Sequence, residues 1–152
     1  MMTIDDMDVR ALQTAGLRVT ATRRAVLAAT TRIPHAAVDQ IVSAIQDDLP
    51  NTSPQAVYGV LGALTGAGLL RRIEPAGSAA RYERRIGDNH HHVVCTVCGA
   101  IGDVDCAVGA APCLTPSETN GFTVNTAEVT FWGLCAACAA ADDDVLTDTV
   151  TA

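Results

Sequence analysis

The chain of 152 residues has no lysine: all ten of its basic residues are arginines, and none lies beyond Arg85. Aromatic residues make up only 3%, so any core must be built from Ala, Val, Leu and Ile, which the 49% hydrophobic content supplies. No apolar run is long enough to span a bilayer. The opening stretch MMTIDDMDVR is acidic and lacks the apolar segment of a secretory signal. A soluble cytoplasmic protein is expected, with one ordinary domain or two small ones. In that compartment six cysteines point to metal ligation or redox chemistry before disulfides.

The net charge of -7 argues against nucleic acid only while it is taken as a whole. Residues 1–88 hold ten basic and nine acidic side chains, net +1, whereas residues 89–152 hold eight acidic and no basic ones, net -8. Five arginines and no acid lie between Arg10 and Arg32. A local basic patch, rather than the total, decides whether a phosphate backbone can dock.

Helical spacing places a first helix from Asp5 to Ala15, stopped by Gly16. A second follows Thr20 as N-cap and ends by Pro34, and a third runs from Ala37 to Asp48 before Pro50. Ser53 and Pro54 then open a helix carrying Val57, Val60, Leu61 and Leu64 on one side, which ends at Gly66 and Gly68. LLRRIEPAG and SAARYERRI form two strands about the turn Pro75-Ala76-Gly77-Ser78. Helices followed by a hairpin is the order of a winged helix-turn-helix, with recognition helix after Pro50 and the hairpin as wing. Gly87-Asp88-Asn89 reads as a hinge. Short strands follow at His90–Cys95, Ala100–Val104, Phe122–Asn125 and Glu128–Leu134. The expected class is α+β: a winged-helix domain over 1–86, a small α/β domain over 87–141, and an acidic disordered tail over 142–152.

Two motifs carry the chemistry. Cys95-Thr-Val-Cys98 and Cys135-Ala-Ala-Cys138 give C-x2-C … C-x2-C. Two such knuckles complete a tetrahedral S4 site that suits structural zinc, with a rubredoxin-like iron or a redox dithiol as alternatives. A dithiol would not need the second pair. Cys106 and Cys113 are left as small buried apolar residues or as a thiol pair able to oxidise. Just before the first knuckle stands NHHHVVC. On a strand His90 and His92 share one face and His91 takes the other. Joining the thiolate site would over-coordinate it, so the pair supports a second, nitrogen–oxygen site. Glu83 and Asp103 or Asp105 are the nearby carboxylates, and softness leaves Fe(II), Mn(II), Zn(II) and Ni(II) open. His35, alone at the start of the third helix, fits a cap or surface role as well as a ligand role.

AGLRVTATRRAVL, QAVYGVLGALTGAGLLRRI, RYE, NHHHVVCTVCG and WGLCAAC, in order over about residues 10 to 138, resemble the ferric uptake regulator (Fur) family of bacterial metal-dependent repressors. DVDCAVGAAPCL resembles its actinobacterial branch, which controls catalase-peroxidase genes. The resemblance implies structural zinc on Cys95, Cys98, Cys135 and Cys138. It implies a regulatory metal on His35, Glu83, His90, His92 and Asp103, with Fe(II) as the occupant and Mn(II) or Zn(II) as substitutes. It also implies a homodimer formed by residues after about 89, reading a palindromic, AT-rich operator in double-stranded DNA. Asn89 and Ala127 stand where some relatives carry histidines of a third metal site, leaving His91 and Glu128 for a weak ion at most. Gly59 stands where many relatives carry arginine, which makes Arg18, Gln55 and Tyr58 the candidates for DNA contact, with Ser53 near a phosphate.

The expected mechanism is metal-coupled closure. A ligand set drawn from both domains is complete only at one interdomain angle, so metal binding favours that angle. A sharper form is peroxide sensing: Fe(II) among imidazoles reduces peroxide, and the nearest ligand is oxidised. Asp103 is the short carboxylate of peroxide-sensing relatives, while Glu83 resembles the iron-sensing ones. Zinc or nickel sensing and a zinc-ribbon interaction module are the alternatives. A zinc hydrolase or deaminase is not expected, because Val93 and Val94 follow His92 and no proline precedes Cys95.

Overall fold

A computed structural model describes residues 3–88, 90–105 and 115–141. The chain divides into two compact units, Met1–Gly87 and Asp88–Ala152.

The first unit opens with α1 (Ile4–Thr14), α2 (Ala21–Arg32), α3 (Val38–Ile45) and α4 (Pro54–Gly66). Helix α1 starts earlier than its apolar spacing suggests, because Thr3 and Asp6 form a capping box. The Asp6 amide donates to Thr3 Oγ1 at 3.1 Å and the Thr3 amide to Asp6 Oδ2 at 3.0 Å. Thr20 caps α2 through the Arg23 amide (3.3 Å), and Ser53 caps α4 through the Ala56 amide (3.2 Å) with Pro54 in the first turn. Helix α3 has no capping side chain at Ala37; instead Gln40 Oε1 accepts from the Ala37 amide at 2.9 Å. It ends at Ile45, short of the expected Asp48. Asp47 and Asp48 oppose the negative end of the helix dipole, and Pro50 disfavours a helical Leu49.

Leu12, Val26, Leu27, Ile41, Ile45, Val57, Leu61, Leu64 and Leu70 form one buried cluster, with Tyr82 its sole aromatic. Burying each such aliphatic side chain stabilises by about 1.5–3 kcal/mol. The helices are followed by the antiparallel pair β1 (Arg71–Ile73) and β2 (Arg81–Glu83), which places Arg71 opposite Glu83. The Ser78 amide closes the turn onto the Pro75 carbonyl at 2.9 Å, and Gly77 takes the positive φ of +74° that a type II turn requires. The Tyr82 amide donates to the Ala36 carbonyl at 3.0 Å, which pins the segment before α3 alongside β2. None of the described helices is long and apolar enough to cross a membrane.

The second unit is a three-stranded sheet in the order β4-β3-β5, made of β3 (His90–Cys95), β4 (Ile101–Asp105) and β5 (Thr130–Gly133). β4 is antiparallel to β3 and β5 is parallel to it. A short helix covers 136–141. Phe122–Asn125, expected as a strand, is not one. Asn120 and Gly121 both take positive φ (49° and 81°), the Phe122 amide turns back onto the Thr119 carbonyl, and Phe122 and Val124 are exposed. Alternating side chains do not make a strand without a partner ladder. The expected tail over 142–152, and Cys106 and Cys113, lie outside the described residues.

Candidate metal centres

β3 ends at Cys95. Its carbonyl accepts from the Gly99 amide at 3.0 Å and its amide donates to the Ala100 carbonyl at 2.8 Å, closing a turn that carries Cys98. Gly99 sits at φ +72°, where a side chain would be strained. Because β5 runs parallel to β3, with Gly133 in register with Cys95, the chain leaves β5 at the same end of the sheet. The Thr96 amide bonds the Gly133 carbonyl at 2.8 Å. Cys135 therefore arrives beside the first knuckle, and Cys138 follows on the short helix.

All four cysteines are free thiols, and their sulfurs all lie within 4.8 Å of one another. Cys98 Sγ and Cys135 Sγ are 3.7 Å apart. A tetrahedron with zinc–sulfur bonds of about 2.3 Å has an edge of about 3.8 Å. The thiol of Cys95 is pulled down to about 6 by the amides of Cys98, Cys135 and Val97, while that of Cys138 is pushed up to about 12 by hydrogen bonding to the sulfurs of Cys135 and Cys98. One sulfur is prepared as a thiolate; the full set cannot all be anionic at contact distance without a cation. Geometry and donor type both fit zinc.

The histidine run is buried throughout: His90, His91 and His92 are 3%, 7% and 5% exposed. Burial therefore does not separate them, but direction does. β3 pairs with β4 so that His92 faces Asp103 and His91 faces Val104. His90 Nε2 and His92 Nε2 lie 3.9 Å and 3.7 Å from the same oxygen, Asp103 Oδ1, with ring centroids 5.0 Å apart. These separations are too long for hydrogen bonds and close to the span of two metal–ligand bonds. The other nitrogen of His90, Nδ1, is 2.5 Å from Asp88 Oδ1.

In the first unit, His35 Nε2 lies 3.0 Å from Glu83 Oε2, and both residues are buried. His35 is neither a cap nor a surface residue. The Ala36–Tyr82 bridge sets it beside Glu83, and it adopts φ 57°, a left-handed conformation uncommon outside glycine. Such strain persists only where the surroundings enforce it. Arg71 Nε stands 3.8 Å from the other Glu83 oxygen. The five residues thus fall into two sets, His35 with Glu83 in one unit and His90, His92 and Asp103 in the other.

The profile of the Ferric uptake regulator family matches residues 14–132. The chain is 60% identical over 131 residues to "Transcriptional regulator FurA" of Mycobacterium tuberculosis, covering 86% of this chain and 89% of that one. The chain belongs to the ferric uptake regulator family. It is also 30% identical over 96 residues to the "Peroxide-responsive repressor PerR" of Staphylococcus aureus, covering 62% and 64% of the two chains. The crystal structure of the Vibrio cholerae ferric uptake regulator superposes with a TM-score of 0.64 at 20% identity, over 84% of this chain and 98% of that one, and so shares the fold.

Within that Fur fold, α4 presents Gln55, Tyr58 and Gly59 to solvent, and Arg18 is exposed just before α2. The Ser53 hydroxyl oxygen is engaged as the α4 cap, leaving its hydrogen to donate. The basic patch is smaller than its sequence suggests: Arg24 is ion-paired with Asp5 of α1, an acid that lies outside the Arg10–Arg32 window. Sequence reasoning also missed Asp8, whose carboxylate is buried on the face of Leu12 and receives Arg84 Nη1 at 2.5 Å. A charged residue four positions before a core leucine was the available signal. Arg71 was missed because its partner Glu83 lies on the facing strand, and Asp88 because a bond to a ring two residues on is set by rotamer and not by strand period.

Proposed function

We propose that the protein is a homodimeric, metal-dependent transcriptional repressor with no enzymatic turnover of its own. It is Fe(II)-loaded, responds to iron or peroxide, and controls oxidative-stress genes such as catalase-peroxidase. The 60% identity to a FurA regulator over nearly the whole of both chains carries this reading. Cys95, Cys98, Cys135 and Cys138 hold structural zinc. His35, Glu83, His90, His92 and Asp103 hold the regulatory ion, Mn(II) or Zn(II) being substitutes, and Arg18, Ser53, Gln55 and Tyr58 meet DNA.

Each unit supplies only part of the regulatory donor set, so the ion couples the two. When bound, Fe(II) supplies one-electron chemistry toward peroxide beside imidazoles. The chain's own residues hold donors ready: buried imidazoles directed by β3, and a carboxylate in register on β4. The dimer is supported by β5, an edge strand among the described residues, whose Phe131 and Trp132 are half exposed. Two recognition helices then address two half-sites of a palindrome.

A gel shift on a palindromic AT-rich promoter fragment tests the reading. Binding should require Fe(II) or Mn(II) and vanish on chelation under conditions that leave the thiolate zinc in place; metal-independent affinity would refute it. Arg18→Ala should weaken binding to all sequences alike and reduce the salt slope by about one unit. An unchanged slope means Arg18 does not touch phosphate.

A further inference from the structure

We propose that Asp88 is a positioning residue for the regulatory metal, locking the His90 ring so that Nε2, and not Nδ1, is the donor. The proposal deepens the metal-site reading above and rests on it. Asp88 Oδ1 lies 2.5 Å from His90 Nδ1, and the His90 side chain is wholly buried while that of Asp88 is partly exposed. Two acceptors do not approach so closely; the hydrogen belongs on Nδ1. In the neutral ring the lone pair then sits on Nε2, the nitrogen facing Asp103. A carboxylate behind a ligating imidazole fixes its tautomer and rotation and raises its basicity. Asp88 precedes β3 by two residues and follows Gly87, whose φ of +77° turns the chain there. The carboxylate thus meets the ring at the nitrogen other than the one facing Asp103.

The test is Mn(II) affinity of the full-length, zinc-loaded protein by calorimetry, with thiolate zinc and thermal transition recorded for each variant. Asp88→Ala should weaken Mn(II) binding about 10–100-fold, with zinc content unchanged. Asp88→Asn should fall between, because its amide oxygen still accepts from Nδ1 but without charge. Imidazole nitrogen–proton NMR of the wild type, free of regulatory metal, should show His90 protonated on Nδ1. If His90 carries its proton on Nε2, or if Asp88→Ala binds Mn(II) as the wild type does, the proposal is wrong. Should Asp88→Ala fold poorly, Asp88→Asn and the wild-type tautomer decide. His90→Ala tests the site itself. If it too binds as wild type, the regulatory-site reading falls; if it loses Mn(II) while Asp88→Ala does not, only the positioning role falls.

Discussion

Cys98→Ser will release zinc from the thiolate site and leave a protein that is largely monomeric and melts at a much lower temperature. The reason lies in how little else holds the second unit together. Among its described residues only Val94 and Cys95 are buried apolar side chains, and the rest of the buried set is the three histidines. One valine contributes about 1.5–3 kcal/mol, far below the ordering cost of a three-stranded sheet. Zinc held by four thiolates contributes on the order of 10 kcal/mol in small zinc-dependent folds. It also ties the β3–β4 turn to the chain leaving β5, reinforcing the β3–β5 ladder that joins these sequence-distant parts of the unit. Serine keeps the shape but offers a poor zinc ligand. β5, with Phe131 and Trp132, would then lose the support that presents it to a second copy. Metal analysis, differential scanning calorimetry and sedimentation measure the three effects. A Cys98→Ser protein that keeps its dimer and a normal transition would show that this site is not structural.

The elements that sequence revealed are those whose signals are local. Thr20, Ser53-Pro54 and the paired C-x2-C knuckles act over three or four residues, and each stands where its spacing placed it. The Phe122–Asn125 strand was misread because a strand depends on a partner, and alternation alone does not supply one. The candidate ligand sets show the same division. Strand alternation told His90 and His92 from His91, but nothing near His35 announces Glu83. That pairing depends on a backbone bridge between residues 46 positions apart, Ala36 and Tyr82, and on a left-handed φ at a histidine. Asp88 stands one residue before NHHHVVC and was taken for hinge, because its hydrogen bond is a matter of rotamer rather than of period.

His90→Ala and His92→Ala should each abolish metal-dependent DNA binding while retaining the thiolate zinc, and His91→Ala should be much milder. All three rings are buried, so each truncation removes the same side chain from a closed environment and costs comparable stability. The metal response is what separates them. Two imidazole nitrogens lie near Asp103 Oδ1, whereas His91 stands in register with Val104 on the opposite face. In the proposed five-residue set, loss of one nitrogen donor would cost the ion a full bond, and DNA binding that depends on the ion would go with it. Asp103→Glu should keep repression but blunt any peroxide response, since the longer carboxylate alters coordination and peroxide access. Metal content and gel shifts on the three alanine variants are the first measurement. The second is mass spectrometry of the wild type after Fe(II) and peroxide, with a gain of one oxygen expected on peptides holding His35, His90 or His92. If His91→Ala is as damaging as His92→Ala, the two faces of β3 do not divide the roles. If oxidation falls only on Cys106 and Cys113, the sensor is a thiol pair and the imidazole site answers to metal alone.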